Sequence, residues 1–346
     1  MTSAPRARLA ETLLLTAVAL AATYPVFIDT YRSMVFQTVP RDDYAPYLLH
    51  LVGHGGEVPG APRAYRFLSV AAAIPAYLVL PVYRFKNLAE VDPAYLRATE
   101  ALAFVSWIAL AALSVMVYRI ARDRLGASRP ASVAALFATL VFARYTSLLG
   151  VDAIALLLIA AAYYWIDRPW LFAAIVALSA GFNEKVWIVA VLLVGTRVLH
   201  VRSLRPYVVH VAGCAVAILL YFGAATYFRT SGTEKPSDPR PLGTQAPFTV
   251  RMTMTAKGLA QNAMPVGLCL AACALAALRL RGERGPYWTP WDALVPLGLA
   301  VTGLTMNVEY TLGRLVFHSL PILVPPLALA LDRTSAQTVA PDVRTA

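Results

Sequence analysis

The sequence predicts an all-α fold, a polytopic bundle of transmembrane helices, on three observations. Of its 346 residues 59% are hydrophobic and only 14% charged, with a mean hydropathy of +0.61, a composition suited to lipid rather than water. Apolar runs near the roughly 20 residues that cross about 30 Å of hydrocarbon recur along the whole chain. Arginine clusters fill the short loops between those runs, as the retention of positive charge on the cytoplasmic side requires.

Ten apolar segments are long enough, or nearly so, to span: residues 9–28, 98–118, 131–149, 151–166, 170–182, 186–199, 207–228, 262–280, 291–307 and 314–331. An eleventh, 67–82, is short and holds Pro75 and Pro81. With Arg6 and Arg8 inside and 67–82 not crossing, Arg119, Arg122, Arg124 and Arg129 fall inside, as do the basic loops at 167–168, 200–205 and 279–284 and the tail from Arg333. If 67–82 crossed, the Arg119–Arg129 cluster would lie outside, so that segment is expected to be an interfacial or re-entrant helix. Both termini are then cytoplasmic.

The expected organisation is a single transmembrane domain, 1–333, with a first extracytoplasmic loop at 29–97, a second at 229–261 and a disordered tail at 334–346. The basic start, apolar run and small residues Ala19 and Ala21 of the first span also fit a signal peptide; its continuation to Ile28 favours a retained helix.

A net charge of +11 fits either nucleic acid or an anionic membrane surface. The charges lie in short inter-helix loops, with no basic stripe carrying interleaved exposed aromatics, which excludes nucleic acid. Cys214, Cys269 and Cys273 sit in apolar segments as small hydrophobes, implying neither disulfides nor a metal site. The bias of 26 Arg to 4 Lys, with abundant Ala, points to a GC-rich bacterial genome, and so to a bacterial cytoplasmic (inner) membrane.

On this topology the outer helix ends gather Asp42, Asp43, Arg144, Asp152, Glu184, Lys185, Glu309, Arg314 and His318. Ionisable groups at membrane depth are costly unless paired or solvated, and are functional candidates by default. Asp42-Asp43 offers a proton acceptor beside a second carboxylate able to orient it or ligate a cation; a solvated turn before the helix at Pro46 is the plainer reading. Asp152 suits an ordinary loop charge equally well, and Glu184-Lys185 a capped hairpin. Arg314 and His318 share a helix face four residues apart, the first a fork for a phosphate or a snorkelling cation, the second also explicable as a bundle histidine. His50, His54 and Glu57 have a metal-like spacing, but the Gly55-Gly56 break and the lack of a third convergent ligand argue against zinc.

In sequence order these features resemble the GT-C superfamily of polytopic glycosyltransferases, which use polyprenyl-phosphate-linked sugars as donors. The likeness rests on Arg41-Asp42-Asp43-Tyr44 after one span, Arg63-Ala64-Tyr65-Arg66 leading into an interfacial helix, the basic turn from Val117 to Gly126, the outward turn Asn183-Glu184-Lys185, and the Gly313-Arg314 step into a helix broken by Pro321. The acidic pair is Asp-Asp where Asp-Glu is commoner, and the soluble C-terminal domain of larger members is not expected here. The resemblance implies inverting transfer from a polyprenyl-phosphate sugar to an acceptor hydroxyl whose carrier is left open. Asp42 would be the base, Asp43 its orienter or the ligand of a divalent cation (Mg or Mn), and Lys185, Arg144, Arg314 and Arg66 the phosphate ligands. Glu184, Asp152, Glu309 and His318 would support them, and membrane lipids would surround the whole. Two other readings stay open: a transporter or lipid flippase, and a non-catalytic assembly partner on the same scaffold.

Overall fold

A computed structural model describes residues 3–36, 44–59, 63–81, 92–143, 152–230, 247, 250–251, 254–280, 286–305 and 312–339. Asp42, Asp43, Arg144 and Glu309 lie outside them. Among the described residues every regular element is helical.

The chain begins with α1 (Ser3–Phe36) and, after the acidic pair, α2 (Tyr44–Leu51). A 3-10 turn at Arg63–Arg66 leads to the short α3 (Phe67–Ala71) and α4 (Ile74–Val79). Pro75 at the start of α4 suits a helix N-terminus. At about 1.5 Å per residue, the 13 residues of Phe67–Val79 would rise about 20 Å even if continuous, short of the roughly 30 Å of hydrocarbon.

The bundle follows: α5 (Pro93–Arg119, extended by a π turn at Ile120–Arg124), α6 (Arg129–Ala143), α7 (Asp152–Tyr164), α8 (Pro169–Leu178), α9 (Glu184–Val201) and α10 (Val208–Thr230). Gly126, at φ +72°, takes the left-handed conformation that closes a helix C-terminus and that glycine adopts without steric cost. Last come α11 (Ala256–Arg279), α12 (Leu294–Thr305) and α13, which starts at Leu312–Val316 and passes through a 3-10 turn into Leu320–Val339. The last helix outruns its expected end, reaching Val339 where a disordered tail from 334 was foreseen. Between Arg333 and Pro341 the sequence holds neither Gly nor Pro, and a proline disfavours helical geometry in the residue ahead of it.

Each of the ten predicted apolar segments contains a helix among its described residues. Among the described residues four helices are long and apolar enough to cross a membrane: Pro93–Arg124, Arg205–Phe228, Ala256–Arg279 and Leu312–Arg333. By contrast α7, α8 and α12, of 13, 10 and 12 residues, rise about 15–20 Å each, short of the hydrocarbon thickness.

The first and last of the four crossing helices are mostly buried, and the middle two mostly exposed. α5 is the central post, with α1, α2, α4, α6 and α7 laid against it. The outer faces of α10 and α11 present Leu219, Leu220, Phe222 and Leu268, an apolar surface at home in lipid. Gly213 lets α10 approach α8 closely: a Cβ there would stand 2.5 Å from Ala173 Cα, the small-residue contact typical of membrane helices. Side chains from α5, α7, α9 and α13 fill the main core, and α2, α3, α4 and the start of α5 form a second, smaller one.

Candidate functional site

Two glycines bring distant segments together at one end of the bundle. Gly181, in the 3-10 turn Ser179–Gly181 before α9, has no room for a side chain, since a Cβ would lie 2.7 Å from Leu68 Cδ1. The segment after Arg66 therefore lies directly on that turn, and Ser69 Oγ donates to Phe182 O at 2.7 Å. Gly313 likewise lets the start of α13 abut α11, where a Cβ would strike Gln261 O. Asn262 Oδ1 accepts from the first backbone N–H of α13, Leu312, at 2.8 Å.

These approaches assemble a buried ionic network. Arg66 gives Glu184 two parallel hydrogen bonds, Nε to Oε2 at 3.0 Å and Nη2 to Oε1, and its Nη1 donates to the Tyr44 hydroxyl at 2.6 Å. Next to Glu184, Lys185 Nζ donates to Asp152 Oδ1 at 3.0 Å. The other Asp152 oxygen accepts from Arg314 Nε at 2.9 Å and Nη2 at 2.6 Å. One carboxylate thus bridges cations on α9 and α13. Lys185 and Asp152 are 1% exposed as side chains, while Arg314 remains 31% exposed, the outermost cation of the three.

His318 lies a turn below Arg314. Its Nδ1 faces the carbonyl oxygens of Arg314 at 3.0 Å and Leu315 at 3.2 Å. Carbonyls only accept, so Nδ1 carries the hydrogen. That leaves Nε2 buried without a hydrogen-bond partner among the described residues, 3.8 Å from Asp152 Oδ1.

Helix geometry adds to the local field. Asp152 and Glu184 open α7 and α9, and Arg314 is two residues into α13, so three helix N-termini, each with a partial positive charge, meet here. Asn183 caps α9 by accepting from Lys185 N at 3.1 Å. Outside the spans, burial opposes the charge of Arg66, but Glu184, Tyr44 and Asp152 together outweigh it and hold the guanidinium well above its ordinary range. Burial pushes the Tyr44 phenol up and that of Tyr47 to about 12.

Of the residues singled out in the sequence, Arg66, Asp152, Glu184, Lys185, Arg314 and His318 meet in this one place. Asp42, Asp43, Arg144 and Glu309 fall outside the described residues. Among those described, no group of three or more His, Cys, Asp or Glu side chains gathers as metal ligands do, and Asp43, the residue expected to assist a divalent ion, is not among them. His54 rests against the Tyr77 ring, with centroids 6.1 Å apart.

Sequence reasoning passed over a second buried pair. Arg197, 1% exposed on α9, binds Asp292 through both terminal nitrogens and donates to Pro286 O at 2.6 Å. Asp292 also accepts from Thr289 N at 3.2 Å in a capping box. Its visible signal was an arginine inside an otherwise apolar run. Tyr44, the residue after the acidic pair, was quoted within a motif but given no part.

Among the described residues the fold is all-helical, with four helices long and apolar enough to cross a membrane, as suits a membrane protein, and a buried ionic network at one end. Comparison with protein-family models, with curated proteins and with solved structures finds no match for this chain.

Proposed function

We propose that the protein is a GT-C-like membrane glycosyltransferase that moves a sugar from a polyprenyl-phosphate donor to an acceptor hydroxyl. The observation that carries the reading is the meeting of Arg66, Lys185 and Arg314 with the N-termini of α7, α9 and α13. Cations and helix N-termini are what a phosphate leaving group needs beside it. In this proposal the chain makes ten crossings, with both termini in the cytoplasm and the network facing outward from a bacterial inner membrane. The short helices α7 and α8 keep it recessed toward the lipid that delivers the donor.

Asp42 takes the proton of the acceptor hydroxyl as its oxygen attacks the anomeric carbon. The bond from that carbon to the phosphate oxygen breaks, and its electron pair leaves with the lipid phosphate, now a dianion held by Arg314 and, behind it, Lys185. Asp43 orients the base or assists a divalent ion. Tyr44, next in the chain, accepts a hydrogen bond from Arg66. Arg144 belongs to the same cationic half and Glu309 to its supporting charges.

Purified protein in nanodiscs, given radiolabelled polyprenyl-phosphoryl sugars and a membrane extract as acceptor source, tests the reading. Transfer should be lost in Asp42→Asn and strongly reduced in Arg314→Ala. Undiminished transfer in both removes the site assignment. Flipping of the lipid without sugar transfer, in proteoliposomes, would favour a transporter, and retained lipid-phosphate binding without transfer or flipping an assembly partner.

A further inference from the structure

Two buried nitrogens that lack a hydrogen-bond partner among the described residues lie at the start of α9: Asn183 Nδ2 and Trp187 Nε1. Asn183 is fully buried. Its Oδ1 is committed to the backbone N–H of Lys185, so the NH2 group is the half of the amide left over. Asn183 is the N-cap of α9 and Trp187 lies in its first turn, four positions on. Shielded N–H donors without acceptors are rare because they forfeit their hydration, and each calls for a physical reason.

Aromatic rings stand beside them. The Trp187 ring is 5.8 Å from Tyr221, which meets Tyr65 edge-on at 5.5 Å, and Tyr65 lies 6.1 Å from Phe228. Tyr65 immediately precedes Arg66, and Asn183 immediately precedes Glu184. The aromatic wall and the unpaired donors are therefore continuous with the Arg66–Glu184 pair.

We propose that this corner receives the sugar ring of the lipid-linked donor, an inference that rests on the glycosyl-transfer reading. Sugar hydroxyls accept from Asn183 Nδ2 and Trp187 Nε1, while the aromatic rings meet the apolar face of the sugar. An isoprenoid chain has no acceptor and would leave both N–H groups unsatisfied. A phosphate belongs with the cations on Asp152 and needs neither.

Binding of three probes to protein in nanodiscs separates these parts: polyprenyl phosphate, polyprenyl-phosphoryl-glucose and polyprenyl-phosphoryl-arabinose. At least one sugar-bearing lipid should bind more tightly than the bare phosphate. Trp187→Phe keeps the ring and removes the N–H; Asn183→Ser keeps an oxygen cap and removes the NH2. Each should cut the affinity for that lipid about five- to tenfold, the weight of one hydrogen bond, and leave the bare phosphate unaffected. Two variants guard against one that fails to fold. An unchanged sugar increment in both, or no increment in the wild type, overturns the subsite. Wild-type protein that binds none of the three overturns the glycosyl-transfer reading itself, and the subsite with it.

Discussion

Arg66 and Glu184, 118 positions apart in the chain, face each other fork to fork, with side chains only 10% and 4% exposed. The pair joins the loop after α2 to the first turn of α9, and Glu184 is flanked by Lys185, which holds Asp152. The first loop and the late bundle are therefore clamped at the same point where the cations gather. A buried pair of this kind contributes little net stability, yet breaking it strands a charge.

Removing one partner of the clamp should accordingly cost more than removing both. Glu184→Leu or Arg66→Met alone is expected to destabilise the protein by about 3–5 kcal/mol, while the double variant Arg66→Met/Glu184→Leu loses much less than the sum. Thermal unfolding of the purified proteins in detergent measures this. Additive losses would mean that the two side chains act independently.

Asp152 has two dependants, so its loss should be felt twice. Asp152→Asn leaves Lys185 and Arg314 without their shared counter-ion and should lower the melting temperature further than Lys185→Met. Arg314→Lys keeps the charge but cannot offer Nε and Nη2 together. With Arg314 partly exposed, that variant should fold and raise the KM for a polyprenyl-phosphoryl sugar about tenfold, as expected for loss of a bidentate contact. An unchanged KM would place the phosphate away from Arg314.

How far the sequence reveals this site depends on what holds each residue there. Asp152, Glu184, Lys185, Arg314 and His318 could be picked out because a charge among apolar neighbours is conspicuous and expensive. Their pairing could not: that Asp152 would bridge Lys185 and Arg314 depends on the approach of α13 to α7, and no local pattern encodes it. The close approaches at Gly181 and Gly313 are equally invisible, since a glycine in a turn reads as punctuation until the neighbouring segment is seen. Helix positions followed from apolar runs, but lengths were less legible. α8 leaves the α-helical form after Leu178 for a 3-10 turn, and α13 continues past its apolar stretch to Val339.

The Arg197–Asp292 pair gives the contrast between holding the fold and holding a ligand. Thirteen residues along α9 from Glu184, Arg197 stands about 20 Å from the network, and its contacts lock the 286–292 turn in place. Asp292→Asn should lower stability by about 3–5 kcal/mol and leave the affinity for polyprenyl phosphate unchanged in the fraction that folds. A loss of affinity without a loss of stability would show that this pair, too, serves the ligand.

The direction in which the network faces decides which pool of donor it can meet, and chemical labelling reads that direction. Cys214, Cys269 and Cys273 are all buried, so new surface cysteines should stand out over a low background. Arg129, whose side chain is 74% exposed, begins α6 beside the basic turn that the positive-inside rule puts in the cytoplasm. Arg129→Cys should react with a membrane-impermeant maleimide only after the cells are opened, and Thr244→Cys should react in intact cells. α5 and α6 both meet that basic turn, so the start of α7 and the start of α9, with Asp152 and Glu184, belong to the opposite side if α6, α7 and α8 each cross once. The reverse labelling pattern would turn the network toward the cytoplasm, where nucleotide-linked sugars are available and a lipid-linked donor is not required.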